Sequence, residues 1–521
     1  MKKMSTPSES HQTQNTSGMK KTLGLFGLTI NAMAFIAPGA FLWLTIQAQA
    51  AQVDPAGGST APDIWFGLLL ALILSFLTAA SYAWLARRYP DAGAGSSYYF
   101  AQRALLDRGN SNRSARNAKF AVGWLSHLYY WVYPGVMVAF MAILLTFILQ
   151  SFGFNVSPTT QVGIAVAFSL VVGLIAFRGI QGSTRVNVVM NIIQLTMLVT
   201  VTIMALAYRF LNPENVTFYF SNIGDIVLPH DASHVLFQAA IAILVLVGFE
   251  SITALSSEAK NPRDIPRAVM LSLIIQGAIA YLFGYFGLQA WINSKYTFSI
   301  AAASGAPLGD MIRITGDVFF GGNGFVIMLI AAAAVIAAVL GTTLACLNTG
   351  VRVTYAISRD TEAPELLGKL NTRYGTPAIG VWVLTAVSAA IGAFGVLSLR
   401  NLTAVVLLSN FGTFLLYGVT CIVAIVALSK ERRSIMSRYV IPIAGFVANM
   451  VMMVAVIWLG LIGGGDTQWA ASIAIASTAI WMVIGLGYFV FNSRSTSSSI
   501  FPFPGKERPE DKYAKYSIYG D

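Results

Sequence analysis

Twelve stretches of this chain are continuously apolar over about 20 residues, the length that a helix needs to cross the hydrocarbon core of a bilayer. Inside a bilayer the backbone must satisfy its own hydrogen bonds, which predicts helices, whereas a β-barrel would show short alternating segments. The predicted fold class is therefore an all-α integral membrane protein with twelve transmembrane helices. Spans 1 to 12 are predicted at residues 23–50, 63–86, 120–151, 159–177, 186–208, 233–257, 267–292, 323–356, 377–397, 402–428, 439–462 and 468–491.

The composition agrees with a membrane protein. Hydrophobic residues make up 56% of the 521 residues and charged residues 11%, against about 25% charged in soluble chains. Both cysteines, Cys346 and Cys421, lie in apolar runs, which excludes a disulfide framework and offers no metal-type spacing. No nucleophile–base pair or metal cluster is visible in the spans, so the sequence does not predict an enzyme.

The basic residues predict the topology. If the N-terminus is cytoplasmic, 29 of the 33 Lys and Arg residues fall in cytoplasmic segments and only four in external loops. This is a strong positive-inside signal, and it predicts a multi-pass protein of the cell membrane with both termini in the cytoplasm. It also accounts for the formal charge of +11 without a nucleic-acid partner.

Three polar segments flank the spans. Residues 1–21 and 492–521 are predicted to be flexible cytoplasmic tails. In the loop after span 2, Ser96 to Leu106 is predicted to form a short interfacial helix, and Arg108 to Lys119 is predicted to be disordered.

Span 1 contains a helix-breaking pair in its middle, Pro38 and Gly39, within the sequence NAMAFIAPGAFLW. Proline removes a backbone donor and clashes with the preceding turn, and glycine adds flexibility. One interpretation is a simple kink, which membrane helices tolerate. The other is a discontinuous helix whose exposed backbone lines a binding site, as in secondary transporters.

A second candidate break lies at Gly248, Phe249 and Glu250, as deep in span 6 as Pro38 is in span 1. Glu250 is the only acidic residue placed deep within a span, and such a carboxylate is a functional candidate. The alternative is a structural glutamate that holds unwound backbone in shape. The two breaks head two sets of five spans, residues 22–209 and 232–429, followed by spans 11 and 12 at 438–491. This order is expected of inverted repeats.

Three segments carry a resemblance to a known family. They are GFESITALSSEAKNPRDIPRAV in and after span 6, LNTGVRVTYAISRDTEAPELLGKLNTRYGTPAIGV at the end of span 8, and RRYPDAGAGSSYYFAQRAL after span 2. Together with the span count they resemble the amino acid–polyamine–organocation family of transporters over nearly the whole chain. The resemblance implies the LeuT-type fold, a five-plus-five inverted repeat with two further C-terminal helices.

The resemblance also implies a substrate site at the two breaks. In the family, backbone amides of broken span 1 bind the substrate carboxylate, and carbonyls of broken span 6 bind its amine beside an aromatic gate. Helix ends suit these tasks, because an N-terminus attracts a carboxylate and a C-terminus an ammonium group. The matching positions are Ala37, Pro38, Gly39 and Ala40 in span 1, and Leu246, Val247, Gly248 and Phe249 in span 6.

Two departures from the family pattern affect specificity and coupling. Ala37 and Pro38 replace the first two residues of a G-x-G turn, which removes one amide donor and leaves room for an amine without a carboxylate. Gln194 stands where some proton-coupled members carry a lysine, so Glu250 becomes the leading titratable candidate. Thr342 and Thr343 match hydroxyls of a sodium site in sodium-coupled relatives, or are helix-packing threonines.

The sequence thus predicts a secondary transporter that moves an amino acid by alternating access, within the lipid bilayer and without a cofactor. The family favours H⁺ over Na⁺ as the driving ion. One alternative is an importer of polyamines or other organic amines. Another is a transporter-like nutrient sensor, against which the short C-terminal tail argues. No oligomeric state is predicted.

Overall fold

A computed structural model of the chain describes residues 23–36, 40–54, 56–90, 96–178, 184–212, 214–360, 363–371, 373–431 and 433–495. Within these ranges the chain is helical and contains isolated β-bridges but no β-strand. Eleven helices of the described part are long and apolar enough to cross a membrane. The all-α class is therefore confirmed.

The helices are numbered in chain order. Their bounds are α1 Leu25–Ile36, α2 Ala40–Ala50, α3 Ile64–Arg88, α4 Ser97–Asp107, α5 Asn112–Ser151, α6 Pro158–Phe177, α7 Thr184–Leu211, α8 Gly224–Val227, α9 Ala232–Ala242, α10 Asp264–Leu273, α11 Leu282–Trp291, α12 Phe298–Ala303, α13 Pro307–Phe319, α14 Gly324–Arg359, α15 Ala378–Gly395, α16 Leu399–Leu428, α17 Ile441–Ile462 and α18 Gly465–Ser495.

Predicted spans 2 to 12 each correspond to one of the eleven long helical segments. The first predicted span is instead divided between α1, of 12 residues, and α2, of 11 residues. Residues 37–39, between these two helices, lie outside the described part of the chain.

The loop after the second span departs from the prediction in one respect. The predicted short helix is present as α4, Ser97–Asp107. The prediction of disorder for Arg108 to Lys119 is wrong from residue 112 onward, because α5 begins at Asn112 with Ser111 as its N-cap. A tertiary contact explains this: Lys119 pairs with Asp360 at the end of α14, and α4 packs against α5.

Two long segments are irregular in their middle. Helix α9 tightens into a 3₁₀ turn at Ile243–Leu246, and a second 3₁₀ segment runs over Phe249–Glu258. Between α10 and α11 the backbone forms a π-helix at Ile274–Tyr281. π-Helical segments are rare and often accompany functional sites.

Helix α5 lies at the centre of the bundle and packs against α14, α15 and α16. Helix α1 packs against α7, α10, α14 and the 3₁₀ segment Phe249–Glu258. Helix α2 contacts α9, α12 and α13, and the last two lie between predicted spans 7 and 8. The last two helices, α17 and α18, pack on α16 at the periphery, and α18 exposes large apolar side chains such as Val483 and Phe491.

Candidate functional site

The helix that begins at Ala232 is interrupted at Val247 and Gly248. Val247, which follows the first 3₁₀ segment, has an extended backbone with ψ of 142°. Gly248 has φ of +122°, a region that side-chain-bearing residues rarely adopt. A Cβ atom at Gly248 would also lie 2.4 Å from Cδ1 of Phe35 in α1. Both the conformation and the close approach of α1 therefore require glycine here.

The carboxylate of Glu250 lies directly beside this break and is fully buried. Its Oε1 accepts a hydrogen bond of 2.9 Å from the Tyr129 hydroxyl. Its Oε2 accepts one of 2.7 Å from the Tyr417 hydroxyl and one of 3.0 Å from the backbone N–H of Gly248. The side chain thus joins α5, α16 and the unwound backbone. Burial of a carboxyl group is tolerated only with such partners.

Aromatic rings surround the break. The Phe249 ring lies 5.3 Å from that of Tyr417 and 6.1 Å from that of Tyr82, measured between centroids. On the other side, Phe35 stacks on Tyr133 at 5.8 Å. The Tyr133 hydroxyl also donates to the carbonyl of Leu244 at 3.4 Å. The site is therefore apolar and aromatic, with a few polar groups converging on backbone, as small-molecule sites commonly are.

Side chains from other helices bond the carbonyls at the end of α1. The last four carbonyls of a helix have no donor within it. Met33 O accepts from Gln276 at 2.7 Å and Ile36 O accepts from Tyr281 at 3.1 Å, and both donors belong to the π-helical segment. Thr342 donates to the carbonyl of Ala34 at 3.1 Å. Three helix-to-helix bonds thus fix the end of α1 beside the break in α9.

The candidate ion-coupling residues lie in different surroundings. The Thr342 hydroxyl reaches the carbonyl of Ala34, as stated above, whereas the Thr343 hydroxyl turns back to Val339 O of its own helix at 2.6 Å. Gln194 is buried in α7, and its Oε1 has no hydrogen-bond partner among the described residues. Asn191, on the same face one turn earlier, donates to Ile30 O at 3.4 Å.

The remaining predicted substrate residues fall into two groups. Ala37, Pro38 and Gly39 lie outside the described residues, and Ala40 is the first residue of α2. Leu246, Val247, Gly248 and Phe249 lie together at the break in α9, and the three that carry side chains are fully buried.

Sequence reasoning missed three residues that bond the two breaks, Gln276, Tyr281 and Tyr417. A single tyrosine in an apolar run carries no local signal, because its role depends on which helix faces it. Gln276 did carry a partial signal, because an amide deep in a span indicates a hydrogen-bond partner within the bundle.

The Amino acid permease family model matches residues 21–489 of the chain. The chain belongs to this family. The match covers eleven of the predicted spans in full and nearly all of the twelfth.

Three curated relatives are similar over most of the permease. A branched-chain amino acid permease of Bacillus subtilis is 24% identical, with 93% of this chain and 96% of that protein aligned. A methylthioribose transporter of Bacillus subtilis is 22% identical over 94% of this chain and 97% of its own length. A low-affinity putrescine importer of Escherichia coli K12 is 26% identical over 78% and 81%. The chain is thus a multi-pass membrane transporter, and the names of its relatives describe transporters rather than enzymes.

Proposed function

We propose that this permease imports an amino acid by alternating access and that the import is driven by protons. The observation that carries the proposal is the buried carboxylate of Glu250 at the break in α9. An intramembrane carboxylate that contacts unwound backbone at a candidate substrate site can link protonation to the shape of that site.

The three donors around Glu250 suggest how the link works. A carboxylate accepts all three hydrogen bonds at once. Oε2 accepts two of them, so a proton on Oε2 occupies a position where a donor now points. The tyrosine hydroxyls can rotate and accept instead. The Gly248 N–H cannot rotate, because it belongs to the backbone. Protonation of Oε2 therefore weakens the bond that holds the break, and this allows the two halves of the helix to move.

The substrate would lie between the two breaks. Its carboxylate would meet backbone N–H groups at the start of α2, around Gly39 and Ala40, where the helix dipole favours an anion. Its ammonium group would meet the carbonyls of Leu246 and Val247. The carbonyl of Gly248 already accepts bonds from the N–H and hydroxyl of Ser251, at 3.1 and 2.6 Å. Phe249 would close the site as an aromatic gate.

The architecture we propose is twelve spans, with α1 and α2 as the two halves of the first, arranged as a five-plus-five inverted repeat. In such a repeat, spans 1 to 5 correspond in order to spans 6 to 10. Several contacts between helices occur in both repeats under this correspondence, which supports the arrangement. Helix α1 packs on α10 as α9 packs on α3, and α1 packs on α7 as α9 packs on α16. Likewise α5 packs on α15 as α14 packs on α6. The repeats would cover residues 22–209 and 232–429, with residues 438–491 added.

The proposed location is the plasma membrane, and the proposed orientation places both termini in the cytoplasm. The support is the distribution of the basic residues, which would put the end of α2 and the beginnings of α3 and α9 outside. A tag accessible at each terminus only after the membrane is permeabilised tests this orientation.

The test of function uses purified permease in proteoliposomes with an imposed pH gradient, after a thermal-shift screen of amino acids, diamines and simple amines. A ligand that binds the folded protein raises its stability by mass action. We expect a neutral amino acid to stabilise the wild type and to accumulate with inward protons, also when Na⁺ is replaced by choline. Glu250→Gln should lose proton-driven accumulation, and the exposed control Glu214→Gln should keep it.

One observation favours a second candidate, an importer of organic amines. Pro38 has no N–H to offer a carboxylate, and one relative is named a putrescine importer. Stabilisation by diamines and not by amino acids would replace the first proposal with this one. Accumulation by Glu250→Gln at the wild-type level would remove Glu250 from proton coupling.

A further inference from the structure

Two histidines and two aspartates meet at the end of the bundle where α2 ends and where α3 and α9 begin. Asp54 lies in the loop after α2, and Asp63 immediately precedes α3. His230 precedes α9, and His234 lies in its first turn. The Asp63 side chain is fully buried, and that of His234 is 17% exposed. None of these residues belongs to the site at the helix breaks.

His234 lies between two carboxylates. Its Nε2 is 3.1 Å from Oδ2 of Asp54, and its Nδ1 is 3.5 Å from Oδ2 of Asp63. A neutral imidazole has one N–H donor and one acceptor nitrogen, so it would turn a lone pair toward one of the carboxylates. Only the protonated ring attracts both.

The other charged and titratable groups around His234 are mainly acidic. Asp63 also accepts the backbone N–H groups of His230 and Asp231, at 2.7 and 3.3 Å, and faces Nδ1 of His230 at 3.1 Å. The Asp231 carboxylate caps α9 and accepts the N–H of His234 at 3.2 Å. The Tyr219 hydroxyl lies close enough to be influenced by Asp63.

Two further charged groups, Arg209 at the end of α7 and Asp225 in α8, have other partners. The Arg209 guanidinium donates to the carbonyls of Ala290 and Phe220, at 2.7 and 2.6 Å. The Asp225 carboxylate accepts from Ser221 and from the N–H of Asn222. Among the described residues, the basic side chains in contact with Asp54 and Asp63 are these two imidazoles.

Asp54 stays ionised where histidine titrates. The backbone N–H of Gly58 and the hydrogen bond from His234 hold the pKa of Asp54 below its ordinary value. Histidine gains or loses its proton between about pH 5 and 8.

We propose that His234 is a proton-binding site that clasps the loop after α2 to the beginnings of α3 and α9 when it is protonated. The clasp rests on the orientation proposed above, which places this end of the bundle outside, so external protons operate it. Its members join the outer parts of both broken helices, α2 and α9. Loss of the proton removes the attraction to one carboxylate and loosens this end.

A second contact between α9 and the end of α2 lies one turn further along α9. The Gln238 amide donates to the carbonyl of Gln49 in α2 and to the Thr60 hydroxyl, at 2.8 Å each. This contact carries no titratable group. The pH-dependent contact of His234 therefore lies at the outer end of this interface, and the pH-independent contact of Gln238 lies one turn deeper.

The first experiment measures thermal unfolding of the purified full chain between pH 5 and 8.5 and needs neither transport nor a known orientation. The protonated clasp stabilises the fold, so its contribution is present at acid pH and is lost as the pH rises. We expect the unfolding temperature of the wild type to be about 1–2 °C higher than that of His234→Gln near pH 5.5. This difference should vanish by pH 8.5. Asp54→Asn should likewise lose most of the extra stability that the wild type has at acid pH.

Gln238→Leu is the matched control. Gln238 joins α9 to Gln49 and Thr60 through hydrogen bonds that involve no titratable group. This variant should lower the unfolding temperature by a similar amount at every pH and keep the pH-dependent increment of the wild type. An equal pH dependence in wild type and His234→Gln would overturn the clasp.

The second experiment measures initial uptake in right-side-out vesicles with the internal pH held at 7.5. We expect His234→Gln to raise the ratio of uptake at external pH 5.5 to that at pH 7.5 by about two- to fivefold, as a lost, partly exposed ion pair would. A variant effect that follows the internal pH instead overturns the external placement and the orientation on which it rests. Such a result would leave the thermal result standing, so the two failures are distinguishable.

Discussion

Tyr417 donates a hydrogen bond of 2.7 Å to Glu250, although the two residues are 167 positions apart in the chain. The bond connects α16 to the unwound backbone after α9, where the carboxylate is fully buried beside a helix break. Because Tyr129 reaches the other carboxylate oxygen from α5, Glu250 is held from two sides. Movement of the break must therefore change at least one of these contacts.

We expect Tyr417→Phe to lower the free energy of unfolding by about 1–3 kcal/mol, because it removes a donor from a buried carboxylate. In the Glu250→Gln background the same substitution should cost less, since the neutral amide depends less on that donor. Denaturation of the four proteins of this double-mutant cycle in detergent measures the coupling. Equal costs in both backgrounds would show that the bond contributes nothing specific to the carboxylate.

Gly248→Ala should destabilise the permease by about 3 kcal/mol or prevent folding. The φ of +122° is strained for alanine, and the new methyl group would meet the Phe35 ring. Gly163→Ala is the control, because this helical glycine in α6 has open space around it and should gain slightly on becoming alanine. Expression level and unfolding temperature of both variants test the contrast.

Tyr281→Phe and Gln276→Leu should each lower the free energy of unfolding by about 1–2 kcal/mol. Each leaves a carbonyl at the end of α1 without its donor from the π-helical segment. If these bonds also position α1 for transport, the maximal uptake rate should fall by more than the loss of folded protein explains. Tyr219→Phe, at a tyrosine that is 53% exposed, serves as the control and should change neither quantity.

Lys119→Met should destabilise the protein by about 3–5 kcal/mol, because it leaves Asp360 largely buried without its cation. The ammonium group also lies over the rings of Tyr98 and Tyr99, at 4.6 and 4.9 Å, and these contacts would be lost too. The double variant with Asp360→Asn should recover part of the loss. Asp107→Asn, in an exposed pair with Arg88, should cost less than about 1 kcal/mol. Chemical denaturation ranks the three variants against the wild type.

The positions of spans 2 to 12, the break at Gly248 and the family were all predictable from the sequence. Apolar runs long enough to cross a bilayer are set by local composition, and eleven of the twelve became single long segments. Glu250 and Gly248 stood out because a carboxylate and a glycine are rare within such runs. The topology also followed from a local quantity, the count of basic residues in each loop, and it stays a prediction.

Tertiary structure decided which groups meet. The partners of Glu250, the three donors at the end of α1, and the position of His234 between Asp54 and Asp63 all depend on helices that are distant in the chain. Local composition also gave a wrong prediction for the polar residues 112–119. They are helical, and the ion pair of Lys119 with Asp360 stabilises this part of α5. Hydrophobic pattern determines which segments enter the membrane, since each is buried independently. Hydrogen bonds and ion pairs are directional and short-ranged, so they form only after packing has brought the helices together.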